Sequence, residues 1–234
     1  MAYTKRPDGR KFDELREMKA EVGVVPNADG SALFAFGDTI AIAAVYGPKQ
    51  LHPQHMQNPE TGLLRVNYDM LSFSVTERKR PGLSRRSQEI SKVTEWALAP
   101  VLQLKEFQNT VVDVHINVLQ ANASTRCAGI NAAALALAHA GVPMTEMISA
   151  VSIGKVDDKI VTDLIKEEED YSDGEGSTDI PFAIASNSEK ITLLQLDGKI
   201  RTKQMKEAIE SAKKACKKVY ELQKKTLKEF NNGK

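Results

Sequence analysis

The hydrophobic period of this chain changes at Ser84, and only a mixed fold accommodates both sides of that change. Before Ser84 the apolar residues come in short runs bounded by turn residues. Met18 to Val25 is followed by the turn Asn27-Ala28-Asp29-Gly30. Ser31 to Phe36 and Thr39 to Tyr46 flank Gly37-Asp38, a hairpin signal. Gly47-Pro48 is expected to end that strand, since proline cannot continue a ladder. Residues 49–62 form a polar loop with two prolines, and Leu63 to Val75 reads as a further strand.

From Ser84, a candidate N-cap, Ile90, Val93, Ala97, Val101 and Leu104 recur at helical spacing, with Pro100 predicting a kink or restart. Thr110 to Leu119 returns to period two, with Val112, Val114, Ile116 and Val118 on one face. Thr125 to Ala140 is Ala-rich and helical, stopped by Gly141-Val142-Pro143. Strands are predicted at Ile148 to Ile153, Ile160 to Ile165, Pro181 to Ala185 and Ile191 to Leu196. A last helix runs from Thr202 to Phe230 on a stripe including Met205, Ile209, Ala212, Cys216 and Val219. The order predicts an α+β fold of sheets backed by helices, with a strand–helix arrangement occurring twice.

With 234 residues, the chain is long enough to bury a sizeable core. Two cysteines, Cys127 and Cys216, without a CxxC pair, predict a reducing compartment and neither a disulfide framework nor a zinc site. No stretch approaches the roughly 20 apolar residues that span a bilayer, and the N-terminus lacks the apolar run of a signal peptide. These features predict no membrane and a cytoplasmic location.

The net charge of +1 names no partner, but its distribution is uneven. Thr76 to Lys92 has six basic and two acidic residues, a net +4; Asp163 to Asp179 has one lysine and eight acids, a net −7. Lys199 to Lys234 has twelve basic and four acidic residues, a net +8, as expected of a solvated helix face. Arginines suit phosphate because the guanidinium fork matches its oxygens two at a time, and a helix start adds free N–H groups. Arg85 and Arg86 open the predicted helix, after Arg78, Lys79 and Arg80. They are either phosphate ligands or surface charges paired with the acidic segment. Asp163 and Asp179 each flank an apolar strand; strand-end carboxylates near arginines suit metal-assisted phosphoryl transfer, while Glu167 to Asp170 alone suggests a solvated loop. Asn122 to Arg126, between a strand and a helix, is either an anion-binding turn or an ordinary cap by Ser124 or Thr125. His52 and His55 lack a third metal ligand nearby, and His115 and His139 read as surface residues. Trp96 reads as core or interface.

Several segments, in order, resemble RNase PH-type proteins: RPDGR from Arg6, DGSALFAFGDT from Asp29, and VYGP from Val45. ERKRPGLSRRSQEISK from Glu77 and STRCAGINAA from Ser124 are more specifically similar to the catalytic, RNase PH-like subunit of archaeal exosomes. DLIKEEED, TDIP and ITLLQLDGKI, from Asp163, Thr178 and Ile191, fall where that family has similar text. The resemblance implies one RNase PH-like domain over 1–234, with similar βα halves of about 1–145 and 146–234. It implies a phosphorolytic 3′→5′ exoribonuclease that spends inorganic phosphate and releases nucleoside diphosphates, with Mg²⁺ as cofactor. The implied partners are single-stranded RNA, a non-catalytic sibling in a hexameric ring, and RNA-binding cap subunits. A bacterial-type RNase PH would share the chemistry, but the text from Glu77 to Lys92 argues against it. A non-catalytic sibling would be expected to lack the acidic pair or the arginines.

By the same resemblance, Arg86, Ser124, Thr125 and Arg126 surround the attacking phosphate. Asp179 is an acid or Mg²⁺ ligand near the scissile bond. The family's first acid lies six positions earlier; Asp173 has that spacing, yet Asp170 follows the glutamate run as the family's does. Asp170 is preferred as the metal-sharing partner of Asp179, with Asp173 second. Ser124 stands where the family often has Gly, a change that disfavours positive φ. Arg65, Arg78, Arg80 and Arg85 are expected to hold the RNA backbone.

Overall fold

The structure is a computed structural model that describes residues 3–77 and 79–233; Arg78 lies outside the described residues. Its first sheet contains β1 (Met18–Val22), β2 (Gly30–Phe36), β3 (Thr39–Gln50), β4 (Leu63–Met70) and β5 (Thr110–Gln120), in the order β1-β2-β3-β5-β4. All its pairings are antiparallel except β4 with β5. The second sheet contains β6 (Ile148–Val156), β7 (Lys159–Thr162), β8 (Ser177–Ala185) and β9 (Ile191–Leu194), in the antiparallel order β7-β6-β8-β9. The helices are α1 (Arg85–Leu98), α2 (Thr125–His139), α3 (Lys166–Glu169) and α4 (Thr202–Asn232). This is the expected α+β architecture of helix-backed sheets.

Local chemistry sets the helix boundaries. Ser84 caps α1 in a reciprocal box with Ser87, whose N–H donates to the Ser84 hydroxyl at 3.0 Å. Pro100 falls in a single 3₁₀ turn, Ala99–Val101, that follows α1. The stripe on α2 is small: Ala132, Ala133, Ala134 and Ala136 are fully buried. Small side chains let this helix touch strands of both sheets, so one core runs from β2 through α2 to β6 and β8. The stripe of α4 buries Ala208, Ala212, Cys216 and Val219 against the second sheet and α2.

Several expectations are corrected. Strand β3 does not stop at Gly47-Pro48 but reaches Gln50, because the register shifts between Tyr46 and Lys49 and the ladder asks no N–H of Pro48. Strand β4 ends at Met70, not Val75, since the chain folds into a turn in which the Ser74 N–H donates to the Leu71 carbonyl at 2.9 Å. Strand β7 ends at Thr162 because Asp163 takes a positive φ of 57°. The glutamate run is not a bare loop: it forms α3, with Glu168 buried. Trp96 is 61% exposed and so is not core. His139 is half-buried, accepting the Ser31 N–H at Nδ1 (3.0 Å).

Gly30 marks a close approach of the first sheet to the end of α2. A Cβ there would lie 2.3 Å from the Ala136 carbonyl oxygen and 2.4 Å from the Ala140 nitrogen. Both are backbone atoms, so Gly30→Ala is expected to destabilise the fold by about 1–3 kcal/mol in urea unfolding, the cost of overpacking. An unchanged midpoint would show that α2 is free to move away.

Candidate active site

The turn from β5 into α2 is held from behind. Ala123 and Ser124 both adopt positive φ, 55° and 54°. Ser124 tolerates this because its hydroxyl lies 3.1 Å from Asp163 Oδ1 and 3.2 Å from the Leu164 carbonyl, which offsets the Cβ strain a glycine would avoid. Arg16 Nη1 donates to the Asn122 carbonyl at 2.7 Å. The Thr39 hydroxyl sits 2.8 and 2.9 Å from the Asn122 and Ala123 carbonyls. These contacts draw the carbonyls to one side of the turn. Ser124 is the N-cap of α2 but makes no capping hydrogen bond, so the simple-cap interpretation fails and the first-turn N–H groups lack a side-chain partner.

Asp163 is the anchor beneath this turn. It is fully buried, and Arg16 chelates it with Nε to Oδ2 at 2.8 Å and Nη2 to Oδ1 at 2.6 Å. Burial would raise its pKa, but the Arg16 hydrogen bonds and charge win and hold the carboxyl below its ordinary range. The strand-end reading of Asp163 as a reacting carboxylate is therefore corrected: it does not line the cleft.

The turn faces an open cleft of about 980 Å³. Asn122, Ala123, Ser124, Thr125 and Arg126 line one side, Arg86 of α1 joins them, and Asp179 of β8, Ser152 of β6, Glu169 and Asp170 lie around the same space. Arg126 is oriented by two neighbours. Its Nη1 hydrogen-bonds the Gln195 side-chain oxygen, and Nη2 lies 3.4 Å from Glu89 Oε2. Its Nε is buried and has no hydrogen-bond partner, a donor left for an anion.

Asp179 receives the Ser152 hydroxyl at 2.5 Å. Burial raises its pKa, and the charges of Glu169 and Asp197 add to that against Ser152 and Arg126. Asp170 is exposed at the end of α3, with Lys166 Nζ 2.7 Å from Oδ1. The Lys166 N–H donates to Asn122 Oδ1 at 2.9 Å, tying the acidic side of the cleft to the turn. Asp173 is exposed in the turn before β8 and does not line the cleft. Among the described residues, no group of three or more His, Cys, Asp or Glu is placed to hold a metal.

The structure thus brings together Arg86, Ser124, Thr125, Arg126, Asp170 and Asp179. Arg80 and Arg85 are exposed near the start of α1, outside the cleft lining. Arg65 lies on β4, five residues (about 16 Å of strand) from Met70, which lines the cleft. It pairs with Asp113 through two hydrogen bonds of 2.6 and 2.8 Å. Sequence reasoning missed Arg16, Thr39, Glu89, Ser152 and Gln195. Thr39, Glu89 and Gln195 sit in the family-like segments from Asp29, Glu77 and Ile191, and Ser152 is a hydroxyl in an apolar strand, but nothing local marks Arg16.

The chain is similar to known proteins in sequence and in fold. Residues 14–143 match domain 1, and residues 146–215 domain 2, of the 3′ exoribonuclease family RNase PH. The chain is 52% identical over 225 residues to the exosome complex component Rrp41 of Thermococcus kodakarensis, covering 96% of this chain and 89% of that one. It is 49% identical over 230 residues to its Nitrosopumilus maritimus counterpart, covering 97% and 93%. Rice Rrp46 superposes with a TM-score of 0.83 at 25% identity, covering 95% of this chain and all (100%) of that one. An Archaeoglobus fulgidus exosome with RNA bound to the active site shares the fold, with a TM-score of 0.78 at 22% identity over 93% and 92%. With both of its domains matched and relatives of about half-identical sequence along nearly its whole length, the chain belongs to the RNase PH family of 3′ exoribonucleases.

Proposed function

We propose that the chain is the phosphorolytic 3′→5′ exoribonuclease subunit of an exosome. The observation that carries this is one cleft with uncapped helix N–H groups and an unpaired Arg126 donor on one side, and a carboxyl with raised pKa on the other. Arg86, Thr125, Arg126 and the N–H groups from Ser124 onward hold inorganic phosphate. A phosphate oxygen attacks the phosphorus of the terminal phosphodiester, the bond to the preceding 3′ oxygen breaks, and a nucleoside diphosphate leaves. Attacker and target are both anions, so the fixed positive groups matter most where the transition state gathers charge. Asp179, whose pKa is raised by burial, gives the departing 3′ oxygen its proton.

Asp170 faces the same cleft and fits Mg²⁺, which is usually held by one or two carboxylates together with substrate phosphates; Asp179 would join it as a ligand only as a carboxylate, in place of its proton-donor role. Such an ion, when bound, neutralises charge on the scissile phosphate. Asp170 is favoured over Asp173 because it lines the cleft and Asp173 does not.

Single-stranded RNA reaches this cleft through a ring formed with a non-catalytic sibling, below RNA-binding cap subunits. The exosome-component relatives support membership of such a complex, and the Archaeoglobus fulgidus exosome with RNA bound to the active site supports RNA as its substrate. Arg65, Arg78, Arg80 and Arg85 hold its backbone without reading sequence. If three of them bind phosphates, log affinity falls against log salt with a slope of about −2; a flat response removes these contacts from the proposal. The chain acts as one RNase PH-like domain, supported by a buried cluster shared by both sheets, with halves meeting near residue 145, between the two matched stretches 14–143 and 146–215. A cytoplasmic location accords with two free, buried cysteines, Cys127 and Cys216. No helix among the described residues is long and apolar enough to cross a membrane.

The test is digestion of 5′-labelled single-stranded RNA by the chain with its ring partners. Shortening that requires phosphate and yields nucleoside diphosphates is expected. Monophosphates released without phosphate would mean hydrolysis and a wrong anion site.

A further inference from the structure

We infer that Arg6 and Glu168 are a positioning pair that sets Asp170 at the cleft. The inference rests on the phosphorolytic function proposed above and adds to it residues that never touch substrate.

Arg6 and Glu168 are each 1% exposed. Arg6 Nε meets Glu168 Oε1 at 2.8 Å and Nη2 meets Oε2 at 2.9 Å, a two-point clasp. The rest of the guanidinium is spent on backbone: Nη1 donates to the Thr162 carbonyl at 2.9 Å and Nη2 to the Asp163 carbonyl at 2.8 Å. The Tyr3 hydroxyl donates to Glu168 Oε1 at 2.6 Å, and the Ile165 N–H to Oε2 at 3.1 Å. Glu168 therefore joins the N-terminal segment to α3 and fixes where that helix starts.

Helix α3 has four residues, far too few to hold its own shape. Its placement comes from Glu168 inside and from the Lys166 N–H on Asn122 outside. Asp170 follows Glu168 by two residues and lines the cleft, so any shift of the clasp is passed to it. A buried ion pair adds little stability over packed apolar groups, so a fixed geometry is what this pair supplies. The segment containing Tyr3 and Arg6 precedes the first matched domain, which begins at residue 14, yet it grips a helix inside the second, 146–215. Arg16 does the parallel task for the phosphate side, through Asp163 and Ser124.

The test uses the assembled, RNA-degrading complex, with kcat and the phosphate KM measured separately. Glu168→Gln and Arg6→Lys are expected to lower kcat about tenfold, within what a 1 Å misplacement can cost. For Glu168→Gln the phosphate KM should stay within about twofold, because the backbone bonds of Arg6 to Thr162 and Asp163 and the Arg16 side are kept. In an Asp170→Asn background, Glu168→Gln should add less than about twofold, since groups acting through one another are not additive. A full further tenfold loss there, or a folded Glu168→Gln enzyme with unchanged kcat, overturns the inference. Should Glu168→Gln not fold, Tyr3→Phe decides. It keeps the clasp but drops one hydrogen bond, so a kcat loss of about two- to threefold at an unchanged unfolding midpoint is expected, and none refutes it. The wild-type complex in the same assay separates the two levels. Without phosphate-dependent diphosphate release from wild type the function itself fails; with it, only the positioning role is at stake.

Discussion

Replacing Asp179 with Asn in the assembled enzyme is expected to slow phosphorolysis by about 10²–10⁴-fold, the usual contribution of a positioned proton donor. Asn keeps the shape and accepts the Ser152 hydroxyl, which lies 2.5 Å from Oδ1, but it has no acidic proton to give. The pH dependence carries a sign. Burial, then the charges of Glu169 and Asp197, raise the Asp179 pKa, so its protonated form persists to higher pH than for a free carboxyl. Wild-type activity should fall as pH rises through that raised value, and the Asn variant should lose this limb. Stability moves the other way. A carboxyl with a raised folded-state pKa destabilises the fold once pH passes its unfolded value, so Asp179→Asn should be at least as stable as wild type at neutral pH. A variant that keeps full rate in the intact ring would strip Asp179 of the role.

The largest effect on stability is expected at Asp163, where Asp163→Asn should cost about 3–5 kcal/mol, the usual price of leaving a buried charge without its partner. The stranded charge is Arg16, whose guanidinium meets Asp163 at 2.6 and 2.8 Å. Because Asp163 is held below the ordinary carboxylate range, its contribution is complete above about pH 4 and is lost as pH falls through its depressed value. Urea unfolding at several pH values should therefore show the gap between wild type and variant closing in acid. The turn at Ala123 and Ser124 should loosen with it, since Ser124 would lose a carboxylate partner. A gap that stays constant down to the acid range would show that the ion pair contributes nothing as a charge pair.

The elements were largely legible because their signals are local. The change of period at Ser84, the Ser84 cap, the alternation of Val112 to Val118 and the glycine stop after α2 all act within a few residues. What stayed hidden depends on distant partners. Asp163 looks like a strand-end carboxylate until Arg16, 147 positions away in sequence, is found chelating it. Ser124 looks ill-suited to positive φ until Asp163 and Leu164 are placed behind it. Glu167 to Asp170 reads as solvated charge because nothing nearby reveals that Glu168 is clasped by Arg6. Pro48 was expected to end its strand, but a bulge removes the need for its missing N–H. Spacing alone left Asp170 and Asp173 as rivals, and only the fold of α3 sets one of them at the cleft. Family resemblance pointed to Arg86 and the Asn122 to Arg126 turn, which share one cleft, whereas Arg80 and Arg85 lie outside its lining and composition alone left all of them open.

The most direct measurement is the fate of isotopically labelled phosphate. The assembled complex would digest RNA in the presence of ¹⁸O-labelled inorganic phosphate, with the released nucleotides analysed by mass spectrometry. Phosphorolysis at the cleft between Arg126 and Asp179 predicts nucleoside diphosphates with the label in the terminal phosphate. Nucleoside monophosphates that carry no label here, and that carry ¹⁸O when water is the labelled reagent instead, would identify water as the nucleophile and contradict it.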